Sequence, residues 1–600
     1  MRLNRRTFIG VAAALPLTAI RKPSPKPNVI VVLTDDQGYG DLSCHGNPVL
    51  KTPNLDRLHE ESVRLTDFHS APICSPTRSQ LLTGVDALRN GAFAWAHSRE
   101  LIRRDVPTMA EVFAANDYRT GHFGKWHLGH NYPYRPDDRG FHETIHFDGA
   151  CQGQSPDYWN NDCFDDFYWH NGKLQQYPGY SEDLWFDESI KFVNACKARK
   201  EPFFVYLATH APHSPLFVPD RYRQPYKNQP EPLPSFFGMV ANIDGNMGRL
   251  ETFLEKAGLR ENTILIWLTD NGANASGRLF NAGMRGGKGQ YYDGGHRVPC
   301  FLRWPGGRLR APADIDALTQ MQDLLPTLID LCGLRLPSAA RFDGTSLAPL
   351  LRGENRRLSG RMLVVQSTTV TWPRKWEAAL MWDKWRLVKG EELYNIASDP
   401  GQKSDVAAQN PEIVQRMKAH YERWWSEVEP RIKEPAYIPV GSDHEDPTRL
   451  SCFDWFDYRS SKGGGGGNTG QSSVRNGAKM NGPWNIEVLR DGVYEIALRR
   501  WPVEADTPII AGLPPYTPWD PGAPGRNYPE GKALLVDKAR LKIAQTDEVR
   551  AVKPDDKAIS FLVPLQRGKT QLETWFYDVK GEELCGAYYV YVHRTWGSKP

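Results

Sequence analysis

The chain has 600 residues, with 74 Lys and Arg against 71 Asp and Glu and a formal net charge of only +3. This near-neutrality excludes a nucleic-acid binder that works through bulk basic charge. A composition of 40% hydrophobic and 24% charged residues excludes wholesale disorder, and no apolar run reaches the roughly 18–20 residues that a membrane span requires.

In chain order, the first segment reads as an address. MRLNRRTFIGVAAALPLTAI places Arg5 and Arg6 before Phe8 and a short apolar run ending at Ile20. It resembles a bacterial twin-arginine signal, which implies export to the periplasm or the exterior; a chance Arg pair before an ordinary Sec signal is the alternative. No A-x-A cleavage site follows, and Arg21–Pro27 reads as a Pro-rich linker, so residues 1–27 are set apart from the fold. The nine Cys include no CxxC pair, which argues against a thiolate zinc site; Cys151 and Cys163 could bridge a loop, but spacing alone does not establish connectivity.

From Asn28 apolar strands alternate with helices, the pattern of an α/β domain with a central, mostly parallel sheet covered on both faces. Strands are predicted at Asn28–Thr34 (NVIVVLT), Tyr118–Gly124, Phe203–Thr209 (FFVYLAT) and Thr263–Thr269 (TILIWLT). Helices are predicted at Pro53–Leu65, Val106–Asn116, Leu184–Lys200 and Ile243–Ala257. This domain is expected over 28–350, followed by a smaller α+β subdomain over 351–430 with short antiparallel strands and a helix at Pro411–Glu427. A Gly-rich linker containing Gly463–Gly467 is expected over 431–482. An accessory β-rich domain is expected over 483–600, with strands at Trp484–Leu489, Gly492–Leu498, Lys532–Val536, Ala558–Val563, Thr570–Tyr577 and Ala587–His593.

Two of the buried strands end in acids. Asp35 and Asp36 follow the first, and Asp270 and Asn271 follow Thr263–Thr269. Ligands in open α/β sheets bind beyond the carboxyl ends of strands. Adjacent carboxylates repel unless they are solvated or bound to a cation, and three carboxylates with an amide carbonyl are hard donors suited to Ca²⁺ or Mg²⁺. Helix capping by Asp after a βα turn is the ordinary alternative for either pair taken alone.

Residues Cys74–Gly84 read CSPTRSQLLTG. This resembles the signature of the type I, formylglycine-dependent sulfatases of the alkaline-phosphatase-like superfamily, C-x-P-x-R with its S-x-L-L-T-G extension. Other segments resemble the same family in order: NVIVVLTDDQGYGD from Asn28, KTPNLDRL from Lys51, GKWHLG from Gly124, THAPHSP from Thr209, TDNG from Thr269 and GKGQYYDGGHRVP from Gly287. The resemblance spans about residues 28–430. It implies that Cys74 is oxidised to formylglycine (3-oxoalanine), whose hydrate is the nucleophile. It also implies one divalent cation, Ca²⁺ with Mg²⁺ as the alternative, held by Asp35, Asp36, Asp270 and Asn271 with residue 74 touching it. Lys125 and Lys288 would grip the sulfate, Arg78 would orient the diol, His213 would protonate the leaving oxygen, and His127 would take a proton from the remaining hydroxyl. His210, in the same THAPHSP element, would support the substrate.

The function expected from the resemblance is hydrolysis of sulfate monoesters on a sulfated sugar or oligosaccharide, with a formylglycine-generating enzyme as maturation partner. A phosphonate monoester or phosphodiester hydrolase, a small-molecule arylsulfatase, and a glycan-binding protein with a vestigial site are the alternatives. Trp95, His97, Trp159 and His170 lie in inserts that could shape a sugar pocket, with loop packing as the simpler account of each.

Overall fold

The structure is a computed structural model that describes residues 26–595, apart from 278, 337–339, 355–357, 359, 369–371, 461–468 and 518–526. The export signal expected in the first twenty residues and the run Gly463–Gly467 lie outside the described residues.

A ten-stranded mixed sheet forms the centre. Its inner strands, in spatial order Thr263–Thr269, Asn28–Thr34, Phe203–Ala208, Arg119–Lys125 and Glu143–Phe147, are mutually parallel. Antiparallel pairings extend both edges, through Cys300–Arg303 on one side and through Phe167–His170 and Lys173–Gln176 on the other. Every residue of Asn28–Thr34 and Thr263–Thr269 is buried, which is why both strands read as unbroken apolar runs rather than alternating ones.

Alternation across the strand divides the core in two. Val29, Val31 and Leu33 pack with Leu81, Leu82, Met109, Phe113 and Leu328 on one face. Ile30 and Val32 pack with Leu55, Trp185, Ile243 and Leu250 on the other. The long helix of this second layer begins at Leu233, not near Ile243 as expected. Its first turn tolerates Pro234, and Phe236–Val240 is apolar on all sides, so helical periodicity does not mark it.

The parallel register decides where the acidic strand ends meet. Thr34 pairs with Thr269, and the Asp270 N–H donates to the Thr34 carbonyl at 3.0 Å. The two turns therefore leave the sheet side by side at its carboxyl edge.

Beyond the large sheet, Met362–Val365, Ala379–Trp382, Trp385–Val388 and Glu392–Asn395 form an antiparallel sheet. The helix Pro411–Ile432 packs across it through Met417, Tyr421, Trp425 and Val428. Two further β-sheets close the chain and share one core containing Trp455, Trp484, Trp501, Phe561 and Phe576.

The segment 431–482, expected as a linker, is folded in its described part. Ile438–Val440 pairs with Trp484–Val488, and Thr448–Ser451 pairs with Tyr589–Thr595, so this segment supplies strands to both terminal sheets. These strands are three and four residues long, too short for a visible alternation. The strand expected at Lys532–Val536 lies instead at Lys538–Ile543, and it pairs with Thr546–Ala551. Leu101, Tyr134 and Trp159 enter the same core from the first half of the chain, so it is continuous with the part built on the large sheet.

Candidate active site

The helix Cys74–Thr83 is buried along its whole length and points its first residue at the two strand ends. Cys74 thus sits at the positive end of a helix, where peptide dipoles favour negative charge. Gly84 ends the helix in a left-handed conformation (φ 67°), which a side chain would resist.

Around Cys74 the acids and cations interlock. The thiol donates to Asp35 Oδ1 at 3.2 Å, and the Lys288 ammonium lies 3.5 Å from the sulfur. The Lys125 ammonium pairs with Asp35 Oδ2. Arg78 reaches Asp270 Oδ2 at 3.2 Å and Asp35 Oδ2 at 3.5 Å, and donates to the Lys125 carbonyl at 3.1 Å. Lys288 pairs with Asp36 Oδ1 at 2.6 Å. The Asn271 amide donates to Asp36 Oδ1 at 2.9 Å, and the Asp36 N–H donates to Asp270 Oδ1 at 3.0 Å. Asp36 adopts φ 61°, in the left-handed region that non-glycine residues seldom occupy.

Burial and charge set the protonation states. Burial raises the Asp35 carboxyl, but Lys125, His213 and Arg78 together hold it well below the usual range. Burial likewise opposes ionisation of Asp36, yet Lys288 and His213 keep it low. Asp270 goes the other way: burial and the Asp35 charge lift it to about 7 despite Arg78. Burial and Asp35 push the Cys74 thiol well above its ordinary value, so an unmodified Cys74 is a poor nucleophile.

Asp35, Asp36 and Cys74 offer ligand atoms within one small group that also includes His213. Among the described residues, the buried Asn271 Oδ1 has no hydrogen-bond partner. Three buried carboxylates and this orphaned amide oxygen are a hard oxygen set, which fits Ca²⁺ or Mg²⁺ and suits Zn²⁺ poorly.

The two histidines of THAPHSP differ in burial. His213 stands at the rim with 16% of its side chain exposed and its Nε2 3.7 Å from Asp36 Oδ2. Burial and the Lys288 charge bring it down to about 4. His210 is fully buried, edge-on to Phe147, and its backbone N–H donates to Glu182 at 3.2 Å. His127 has φ 60° and is 3% exposed. Its Nε2 lies 2.7 Å from the Trp95 carbonyl, and its Nδ1 has no hydrogen-bond partner.

Several residues near the site were not singled out from sequence. Asn274 reaches Asp36 Oδ2 at 3.4 Å, and its place three residues after Asn271 in TDNGAN is the only local hint. Tyr206 accepts from Arg78 at 3.5 Å. The C-terminal part also reaches the site's border. The His97 N–H donates to the Phe453 carbonyl at 3.1 Å, Ser98 donates to the Asp454 carbonyl at 3.0 Å, and Phe453 meets the Trp95 ring. Phe453–Asp454 thereby cradles the loop whose Trp95 carbonyl holds His127.

The insert residues separate. Trp95 and His97 belong to this loop, whereas Trp159 packs on Trp501 in the terminal core and His170 pairs with Glu143 at the sheet edge.

The sulfatase family profile matches residues 27–334. Human arylsulfatase A is 33% identical over 393 residues, which are 59% of this chain and 72% of that protein. Rat N-acetylgalactosamine-6-sulfatase is 32% identical over 372 residues, 58% of this chain and 70% of the relative. Among solved structures, that of Ps i-CgsB in complex with k-i-k-neocarrahexaose superposes with a TM-score of 0.61 at 27% identity. The superposition covers 66% of this chain and 92% of that one. Sequence and fold agree over the half of the chain that carries Cys74, both acidic strand ends and Lys288: the chain belongs to the sulfatase family and is a sulfuric ester hydrolase.

Proposed function

We propose that this protein hydrolyses sulfate monoesters on a sulfated sugar or oligosaccharide, using formylglycine made from Cys74 and one divalent cation, Ca²⁺ before Mg²⁺. The observation that carries this reading is one buried network of Asp35, Asp36, Asp270 and Asn271 with Lys125, Lys288 and Arg78, in which Cys74 meets Asp35 and Lys288 directly. The thiol is held protonated by burial, which supports a modified side chain as the nucleophile. The carbohydrate assignment draws on the relatives, one named for an N-acetylgalactosamine sulfate and one solved with a neocarrahexaose.

Asp35, Asp36, Asp270 and Asn271 would hold the cation, which supplies charge neutralisation at a sulfate oxygen and favours an ionised nucleophile. Lys125 and Lys288, now paired with Asp35 and Asp36, would turn to the sulfate once those carboxylates bind a cation. Arg78 is fixed at both guanidinium ends and would hold the nucleophile's oxygen in line with sulfur. His213 stands where a ring N–H can reach the leaving oxygen from the open side. Burial first and the Lys288 charge second keep this ring neutral, and a bound sulfate ester would oppose the Lys288 part and draw its proton affinity back up. His127, with an unpartnered Nδ1, would take a proton from residue 74 after the leaving group has gone. His210 would act from beneath, by packing against His213.

We further propose export by the twin-arginine route and maturation by a formylglycine-generating enzyme. The deciding experiment is a turnover screen of matured protein against regiochemically defined sulfated saccharides, an aryl sulfate and a phosphodiester. Turnover of one saccharide sulfate above both others is expected; a preference for the phosphodiester would overturn the reading.

A further inference from the structure

A second set of metal-type donors lies just past the Asp35–Asp36 pair, and the sulfatase chemistry does not use it. Cys44 and His45 occupy the short turn Ser43–His45, and His59 lies in the last turn of the helix Pro53–Glu61. One ligand atom from each falls within 4.8 Å of the other two, and all three residues are half-buried. A thiol and two imidazoles form a softer set than the oxygens around Cys74.

The orientation of the rings adds a second argument. His45 Nδ1 lies 2.7 Å from the Tyr39 carbonyl, which ties up that nitrogen and leaves Nε2 free. Metal-binding histidines are commonly fixed by such a backbone contact. The ring also stacks on Tyr39 with centroids 4.1 Å apart, and it meets Phe301 edge-on at 5.7 Å. His59 packs on the same Phe301 at 5.2 Å, with its ring 5.7 Å from that of His45. Among the described residues, neither ring nitrogen of His59 makes a hydrogen bond. Burial lowers both rings below the ordinary histidine value, His45 to about 4, so both are in the neutral form that binds metals.

The other histidine group away from the active site differs in a telling way. His69, Asp293 and His296 also cluster, but Arg386 already reaches Asp293 at 3.0 Å and the neighbouring Asp67 at 2.6 Å. His69 Nδ1 and His296 Nδ1 face each other at 2.9 Å. A fixed guanidinium fills the place of a cation there; among the described residues no cationic side chain forms an ion pair within the Cys44 group, and the nearby Arg64 donates to the His59 backbone carbonyl at 2.8 Å and not to its ring.

We propose that Cys44, His45 and His59 form a transition-metal site, with Zn²⁺ as its representative ion and solvent as the fourth ligand. Tetrahedral zinc with bonds of about 2.0–2.3 Å requires the three atoms to draw together by roughly 1 Å, a side-chain adjustment. The Cys44 thiol gives up its proton to solvent as the metal–sulfur bond forms. Burial and the Asp56 charge disfavour the thiolate without metal, and a divalent ion reverses that balance. The bound ion would clamp the loop that follows Asp35 and Asp36 to the helix Pro53–Glu61.

The test uses the full chain saturated with Ca²⁺, titrated with Co²⁺ and then with Zn²⁺. One equivalent of Co²⁺ should produce thiolate-to-metal charge-transfer absorption with the visible bands of a tetrahedral site, and Zn²⁺ should displace it. The signal should vanish in Cys44→Ser, weaken in His59→Ala, and persist in Cys74→Ser, which removes the thiol of the other site. Zn²⁺ should raise the thermal midpoint of the wild type and not that of Cys44→Ser. No charge-transfer band at one equivalent, or a band that survives Cys44→Ser, overturns the proposal whatever the outcome for turnover.

Discussion

The ion pair between His130 and Asp454 ties the catalytic part to the C-terminal sheets and carries a pH signature. His130 is 6% exposed, with its Nε2 3.3 Å from Asp454 Oδ1. Burial disfavours the charged ring, but the Asp454 carboxylate more than offsets this and lifts the ring from 6.5 to about 9. A group raised in this way stabilises the fold fully below its unfolded pKa and loses that effect as pH climbs through the folded value. The lift corresponds to roughly 3 kcal/mol near pH 6, about 2 kcal/mol near pH 7.5 and less than about 0.5 kcal/mol near pH 9. Asp454→Asn removes the charge while retaining an acceptor for the Ser451 N–H, now 2.9 Å from the carboxylate. Urea unfolding followed by tryptophan fluorescence measures the loss, and the buried neighbour Trp455 reports on the same place. The variant should be least stable relative to wild type near pH 6 and almost indistinguishable near pH 9. An equal loss at all three pH values would refute the charge argument and leave only a packing defect.

Four further outcomes are expected. Mass spectrometry of the peptide containing residue 74, from an active preparation, should find formylglycine; activity with cysteine alone at that position would contradict the mechanism. Asp36→Ala and Asp270→Ala should each abolish turnover and remove any Ca²⁺-dependent rise in the thermal midpoint, whereas unchanged activity in both after chelation would displace the metal from these residues. His213→Ala should slow a sugar sulfate far more than an aryl sulfate, because the better leaving group needs less protonation. His127→Ala should slow both alike, and the reverse pattern would exchange the two roles. Arg386→Met leaves the buried carboxylates of Asp67 and Asp293 only the longer contacts to the cationic side chains of Lys384 at 3.5 Å and Arg297 at 3.9 Å and should cost about 3–5 kcal/mol in denaturant unfolding; a loss below about 1 kcal/mol would show that the network is not a structural tie.

What could be read in advance follows from how local each signal is. Asn28–Thr34 and Thr263–Thr269 were legible to the residue because a parallel strand buried on both faces leaves a continuous apolar run, and the acids begin where the run stops. The sequence does not state that the two runs are neighbours, and the Thr34–Thr269 register supplies that. The strand Lys538–Ile543 was missed because its Lys and Arg alternate with buried Ala, Leu and Ile, and the charges disguise a one-sided strand. His210 and His213 are three residues apart in one short loop, so spacing cannot say which faces solvent; the packing of Phe147 against His210 decides it.

The least legible feature is the placement of His127, to which we assign a catalytic role. His127 is oriented by a backbone carbonyl, that of Trp95, and a carbonyl contact leaves no trace in residue type. The loop carrying Trp95 is in turn held by Phe453 and Asp454, more than 350 residues further along the chain. Side chains that touch substrate must be of a given type, and short motifs record them. The groups that aim those side chains work through the backbone and through distant packing, where many sequences serve equally well. In this chain CSPTR, GKWHLG and THAPHSP are therefore plain in the sequence, whereas the hold of Phe453 and Asp454 on the Trp95 loop, and through it on His127, is not.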